Sequence, residues 1–96
     1  MISDRERANK YAEYLGLLPI EELAIDDFLL VMKSISLKYK GFFIIKIDGE
    51  RGDKQYTFVL NIIQMRNISL RKDVENILEG IEFIFSQLEN NGITIF

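Results

Sequence analysis

Residues 42–63 read Phe42-Phe43-Ile44-Ile45-Lys46-Ile47-Asp48-Gly49-Glu50-Arg51-Gly52-Asp53-Lys54-Gln55-Tyr56-Thr57-Phe58-Val59-Leu60-Asn61-Ile62-Ile63, and this stretch decides the fold class. Two runs of aromatic and β-branched residues, 42–47 and 55–63, enclose a polar loop with two glycines, the pattern of a β-hairpin. Side chains alternate across a strand, so Phe43, Ile45, Ile47, Tyr56, Phe58, Leu60 and Ile62 share one face. The opposite face carries Phe42, Ile44 and Lys46 with Thr57, Val59, Asn61 and Ile63, which is mixed but still apolar.

Working outward toward the N-terminus, Ser3-Asp4-Arg5-Glu6 is a capping-box sequence, and Ala8, Tyr11, Ala12 and Leu15 follow at helical spacing before Gly16. A first helix over roughly residues 4–15 is expected. Pro19 suits the first turn of a second helix, with Glu21 and Glu22 where the positive end of the helix dipole favours acids. Its apolar stripe is Ala24, Phe28, Val31, Met32 and Ile35, although Asp26 and Asp27 can cap a restart. Residues 35–40 alternate as a strand would, but Lys38 and Lys40 before Gly41 favour a helix end.

Toward the C-terminus, Ser69 can cap a third helix in which Leu70, Val74, Ile77, Leu78, Ile81, Ile84, Phe85 and Leu88 keep the helical period. Asn90-Asn91-Gly92 ends it, and Ile93-Thr94-Ile95-Phe96 can add a short strand. The expectation is one α+β domain over residues 1–96, ordered α-α-β-β-α-β, with a three-stranded sheet in strand order 2-1-3. Its predicted core is Phe43, Ile45, Phe58, Leu60, Ile77, Ile81, Phe85 and Ile95. The second apolar face must be covered by the first two helices or by another chain.

Composition narrows the chemistry. The 96 residues hold no His and no Cys, so the commonest general base, thiolate nucleophiles and the usual zinc ligands are missing. No catalytic, cofactor or metal motif is predicted, and the chain does not read as an enzyme. Asp26-Asp27 and Glu21-Glu22 are adjacent on a helix and diverge by about 100°, so helix capping accounts for them better than paired-carboxylate catalysis. Asp48, Glu50 and Asp53 offer oxygen ligands, but not at the spacing of a calcium loop. Arg51-Gly52-Asp53 matches a tripeptide read by adhesion receptors, a coincidence at this length. Lys40-Gly41-Phe42 echoes the start of an RNA-recognition signature, but Phe43, Ile44 and Ile47 break it.

The opening Met1-Ile2-Ser3-Asp4-Arg5-Glu6-Arg7 is charged at once, unlike a secretory signal, and the longest apolar run, Phe28 to Met32, is far below a membrane span. A cytoplasmic location is expected. Net charge is −3, and after Lys72 the chain has acids but no further Lys or Arg, which argues against nucleic acid and membrane and for a protein partner with a basic surface. On the third helix Glu75, Glu79, Glu82 and Glu89 fall within about 80° of one another at the helical period, with Phe83 beside them. These five are the predicted partner-binding residues of a small acidic, inhibitory module of the kind that neutralises a toxin. The alternative is a structural or regulatory homodimer pairing through Phe42, Ile44, Val59 and Ile63, and a carboxylate- or metal-dependent enzyme ranks third.

Overall fold

The computed structural model describes residues 2–64 and 67–96; Met1, with which the N-terminal signal reading begins, lies outside these. The element order is α1 (Asp4–Tyr14), α2 (Ile25–Tyr39), β1 (Phe42–Ile47), β2 (Tyr56–Ile62), β3 (Ile68–Val74) and α3 (Ile77–Asn90). The α+β class and the hairpin stand, while the order is α-α-β-β-β-α rather than α-α-β-β-α-β.

Local chemistry sets α1 as expected. The Glu6 amide donates to Ser3 Oγ at 3.1 Å, and Gly16 at φ 75° reverses the chain after the last turn. Residues 17–24 form an irregular link with a turn at 20–22 instead of the start of α2, held where the Ile20 amide donates to Asn9 Oδ1 at 2.8 Å and Ile20 itself is buried. The helix therefore begins at Ile25, behind Ala24, with Asp26 and Asp27 in its first turn. It continues through the ambiguous stretch to Tyr39 and stops at Lys40, which is left-handed at φ 55°. Gly41 follows because a Cβ there would run into the backbone of Asn61.

The sheet is an antiparallel meander in the order β1-β2-β3. This corrects two expectations. Residues 68–74 are a strand, so Ser69 is not a helix cap; its hydroxyl donates to Asn61 Oδ1 across the ladder at 2.9 Å. Helix α3 starts eight residues later than Ser69, capped by Asn76, whose Oδ1 accepts from the Glu79 amide at 2.9 Å. The expected order 2-1-3 is likewise replaced, because β3 takes the place beside β2 and leaves β1 at an edge.

Residues 93–96 form no strand. Side chains pin them instead: the Tyr11 hydroxyl donates to the Ile93 carbonyl at 2.9 Å, and Tyr39 donates to the Thr94 carbonyl at 2.7 Å. Lys38 Nζ adds bonds to the carbonyls of Thr94 and Phe96. Buried hydroxyls thus satisfy the tail's carbonyls where a ladder was expected.

All three helices lie on one side of the sheet. Phe28 of α2 meets Phe43, Phe58 and Phe85 with ring centroids 5.4–6.1 Å apart, all on the inner face or on α3. Helix α3 covers β2 and β3, α2 covers β1 and β2, and α1 packs on α3 through Ala8 and Ala12, small residues that let the axes approach. Of the predicted core, Phe58, Leu60, Ile81 and Phe85 are buried, and Phe43, Ile45, Ile77 and Ile95 pack against it half-buried. The first two helices do not cover the second sheet face.

Candidate interaction surface

The outer face follows from strand register. Phe42 stands opposite Asn61, Ile44 opposite Val59 and Lys46 opposite Thr57; on the far side of β2, Ser69, Arg71 and Asp73 line up with the same three β2 residues. The face divides into two ends of different character. Phe42 is 42 % exposed, Ile44 47 % and Ile63, just past β2, 60 %, with Val59 half-buried among them. This is the apolar end.

The other end is a closed polar network. Asp73 accepts from Thr57 Oγ1 at 2.6 Å and from Arg51 at 2.6 Å, and Arg51 also lies 3.5 Å from Asp48. The Thr57 hydroxyl first, and the nearby arginines after it, hold the Asp73 carboxyl below its ordinary pKa. Asp48 is held low chiefly by the Glu50 amide, which donates to its Oδ1 at 3.0 Å. Lys46 and Arg71 keep only long contacts, 3.9 Å to Asp48 and 3.8 Å to Asp73, and remain mostly exposed. The apolar end is therefore rimmed by cations, on a chain that is acidic in sum.

The five residues predicted on the third helix are not one free ridge. Glu75 precedes α3 and is exposed. Glu79 is exposed and completes the helix start, its Oε2 accepting from the Glu75 amide at 3.4 Å. Glu82 faces α1, where Arg5 Nε donates to it at 2.6 Å while Arg5 Nη1 reaches Glu21 at 2.6 Å. That bridge holds the Glu21 carboxyl below its ordinary pKa and raises that of Arg5. Glu89 lies 3.6 Å from Lys10 Nζ. Phe83 is half-buried against the core, with Lys72 Nζ 5.4 Å from its ring centroid. The strand absent from the sequence reading supplies the lysine that covers it.

Among the described residues no group of three or more acidic, His or Cys side chains is placed to hold a metal ion. A groove of about 240 Å³ runs between α2 and the tail, lined by Leu15, Leu17, Leu30, Val31, Ile95 and Phe96. Tyr11, buried beside the tail, has its hydroxyl pKa pushed up by desolvation. Among the described residues no helix is long and apolar enough to cross a membrane.

No family model matches this chain, and neither the curated proteins nor the solved structures yield a match to it.

Proposed function

We propose that this chain is a small protein-binding module, without catalysis of its own, that acts in the cytoplasm by masking a surface of a partner protein, as inhibitory and toxin-neutralising proteins do. The observation that carries the reading is the one-sided fold: α2 and α3 cover one face of the sheet with α1 packed on α3, and Phe42, Ile44 and Ile63 stand exposed together on the other. An apolar centre inside a polar rim is the usual anatomy of a protein contact. With Lys46 and Arg71 at its rim, this face suits an apolar patch edged by carboxylates.

A second reading keeps the basic partner and places it at the start of α3, where Glu75 and Glu79 are exposed. Glu82 and Glu89 are already engaged by α1, which favours the sheet face over this one. A photo-crosslinking residue at position 63 or at position 79, introduced in the native cell, separates the two. The sheet-face reading expects a protein adduct from position 63 and none from position 79; an adduct from position 79 alone overturns it.

A further inference from the structure

We infer that two copies of this chain join edge to edge through β1, forming one six-stranded sheet that leaves both outer faces free for the partner proposed above. The first support is the contrast between the two sheet edges. Edge β3 carries Arg71, Lys72 and Asp73, including a lysine at an inward-facing position, which is how sheet edges are ordinarily guarded. Edge β1 is Phe42-Phe43-Ile44-Ile45-Lys46-Ile47, apolar at five of its six positions, and no described segment other than β2 pairs with it.

The free backbone groups of that edge can be named. The Asp48 amide donates to the Gln55 carbonyl at 2.8 Å, so by antiparallel alternation the even-numbered residues of β1 turn their polar groups to β2. Phe43, Ile45 and Ile47 therefore turn their amides and carbonyls outward.

A second copy fits them in a register set by symmetry and charge. A two-fold axis normal to the sheet keeps the helices of both copies on one side, and it pairs only residues that share a face. Centring it on Ile44 places Phe43 opposite the partner's Ile45 and Phe42 opposite the partner's Lys46, and it brings the Lys40 end of one strand to the Asp48 end of the other. The Lys40–Asp48 match occurs twice, once at each end, and it exists because β1 is bracketed by opposite charges.

The helix layer adds what a lone ribbon lacks. A six-residue strand pair alone falls short of the about 1,000 Å² that a specific interface buries. On α2, Val31 and Ser34 line the groove with the tail and Lys38 bonds its carbonyls, so that flank faces the side of α1 and α3. At 100° per residue Ile25, Leu29 and Ser36 fall on the opposite flank, beyond β1, and both Ile25 and Leu29 are exposed. Two copies paired at β1 bring these flanks together above the joint.

The test is sedimentation equilibrium combined with amide exchange read residue by residue, on the intact chain from about 10 to 500 μM. A dimer is expected, with the Phe43 and Ile45 amides slowing as concentration rises and the Ile44 amide, bonded to β2, unaffected. Lys40→Asp keeps a residue type tolerant of the left-handed conformation but brings a carboxylate to the Asp48 end of the partner's strand, at both ends of the joint; it is expected to weaken the dimer by about tenfold. Ile47→Pro removes one outward amide and should weaken it as well, whereas Ile47→Ser, which keeps the amide, should not. A monomer across the whole range overturns the inference. So does a dimer in which the Phe43 and Ile45 amides exchange at the same rate as in the monomer, since the copies would then meet elsewhere. Crosslinking from position 63 to a different protein, distinguished by mass from an adduct with a second copy, is independent of either result, so the two proposals fail separately.

Discussion

Gly80 sits in the first turns of α3, where the helix crosses the Phe58 ring, and a Cβ built on it falls inside the van der Waals surface of that ring. Gly80→Ala sets two effects against each other. Alanine raises helix propensity by about 1 kcal/mol relative to glycine in a helix interior. The clash is with an aromatic ring that is itself fully buried, hemmed by Phe28 and Phe43, and so unable to swing away. Overpacking of that kind costs about 1–3 kcal/mol, and a rigid ring places this site near the top of the range. The net is about 2 kcal/mol of destabilisation, which for a domain of this size lowers Tm by about 8–16 °C. Thermal unfolding followed by circular dichroism, checked by a urea titration, measures it. A Tm equal to or above that of the parent would mean that α3 does not lie on Phe58, and the assignment of helices to this face would fail with it.

Two further outcomes are expected. Ile81→Ala should cost about 2–5 kcal/mol in a denaturant titration because Ile81 is buried in the core, and Phe83→Ala should cost less than half as much because its ring lies at the margin under Lys72. Stability should be flat from about pH 5.5 to 8.5, since the chain has no His. Asp73, Asp48 and Glu21 have lowered pKa values in the fold, so their contribution is present above their unfolded values of 3.8 to 4.5 and is lost as pH falls through the folded ones. Tyr11 has a raised value, so its contribution is present below its ordinary 10.0 and declines as pH rises beyond that. A pH series of urea midpoints that dips between pH 6 and 8 would contradict the expected plateau.

The parts of the fold legible in the sequence were those governed by neighbours along the chain. Ser3 with Glu6, the loop at 48–54 and Lys40 before Gly41 all act within a few residues, and each appears as read. Residues 68–76 failed for a definable reason. Leu70 and Val74 are four apart, a spacing that fits the helical period and twice the strand period alike, and Lys72 occupies the inward place that would have completed the alternation. The usable signal was Asn76 followed three residues later by Glu79, a helix start that competes with Ser69. The strand order then changed as a consequence: with β3 paired to β2, the edge of β1 became free, which no reading of β1 itself could show.

The candidate surface divides in the same way. Phe42, Ile44, Val59 and Ile63 were legible as a second apolar face because strand alternation is local. That α1 would turn Arg5 toward Glu82 was not, because the two residues are 77 apart and nothing near Glu82 announces its partner. The acidic face of the third helix therefore looked freer in the sequence than it is in the fold.

The central claim is that the outer sheet face, and not the start of α3, holds the partner. Its most direct test is the dissociation constant of the captured partner for two double variants that leave β1 untouched. Val59→Thr with Ile63→Asp strips the apolar end of the face, and Glu75→Lys with Glu79→Lys reverses the exposed acids. We expect the first to weaken binding by about a hundredfold, as loss of an interface centre does, and the second to change it by no more than about threefold. Full binding by the sheet variant together with loss of binding by the acidic variant would contradict the account and return the interface to α3.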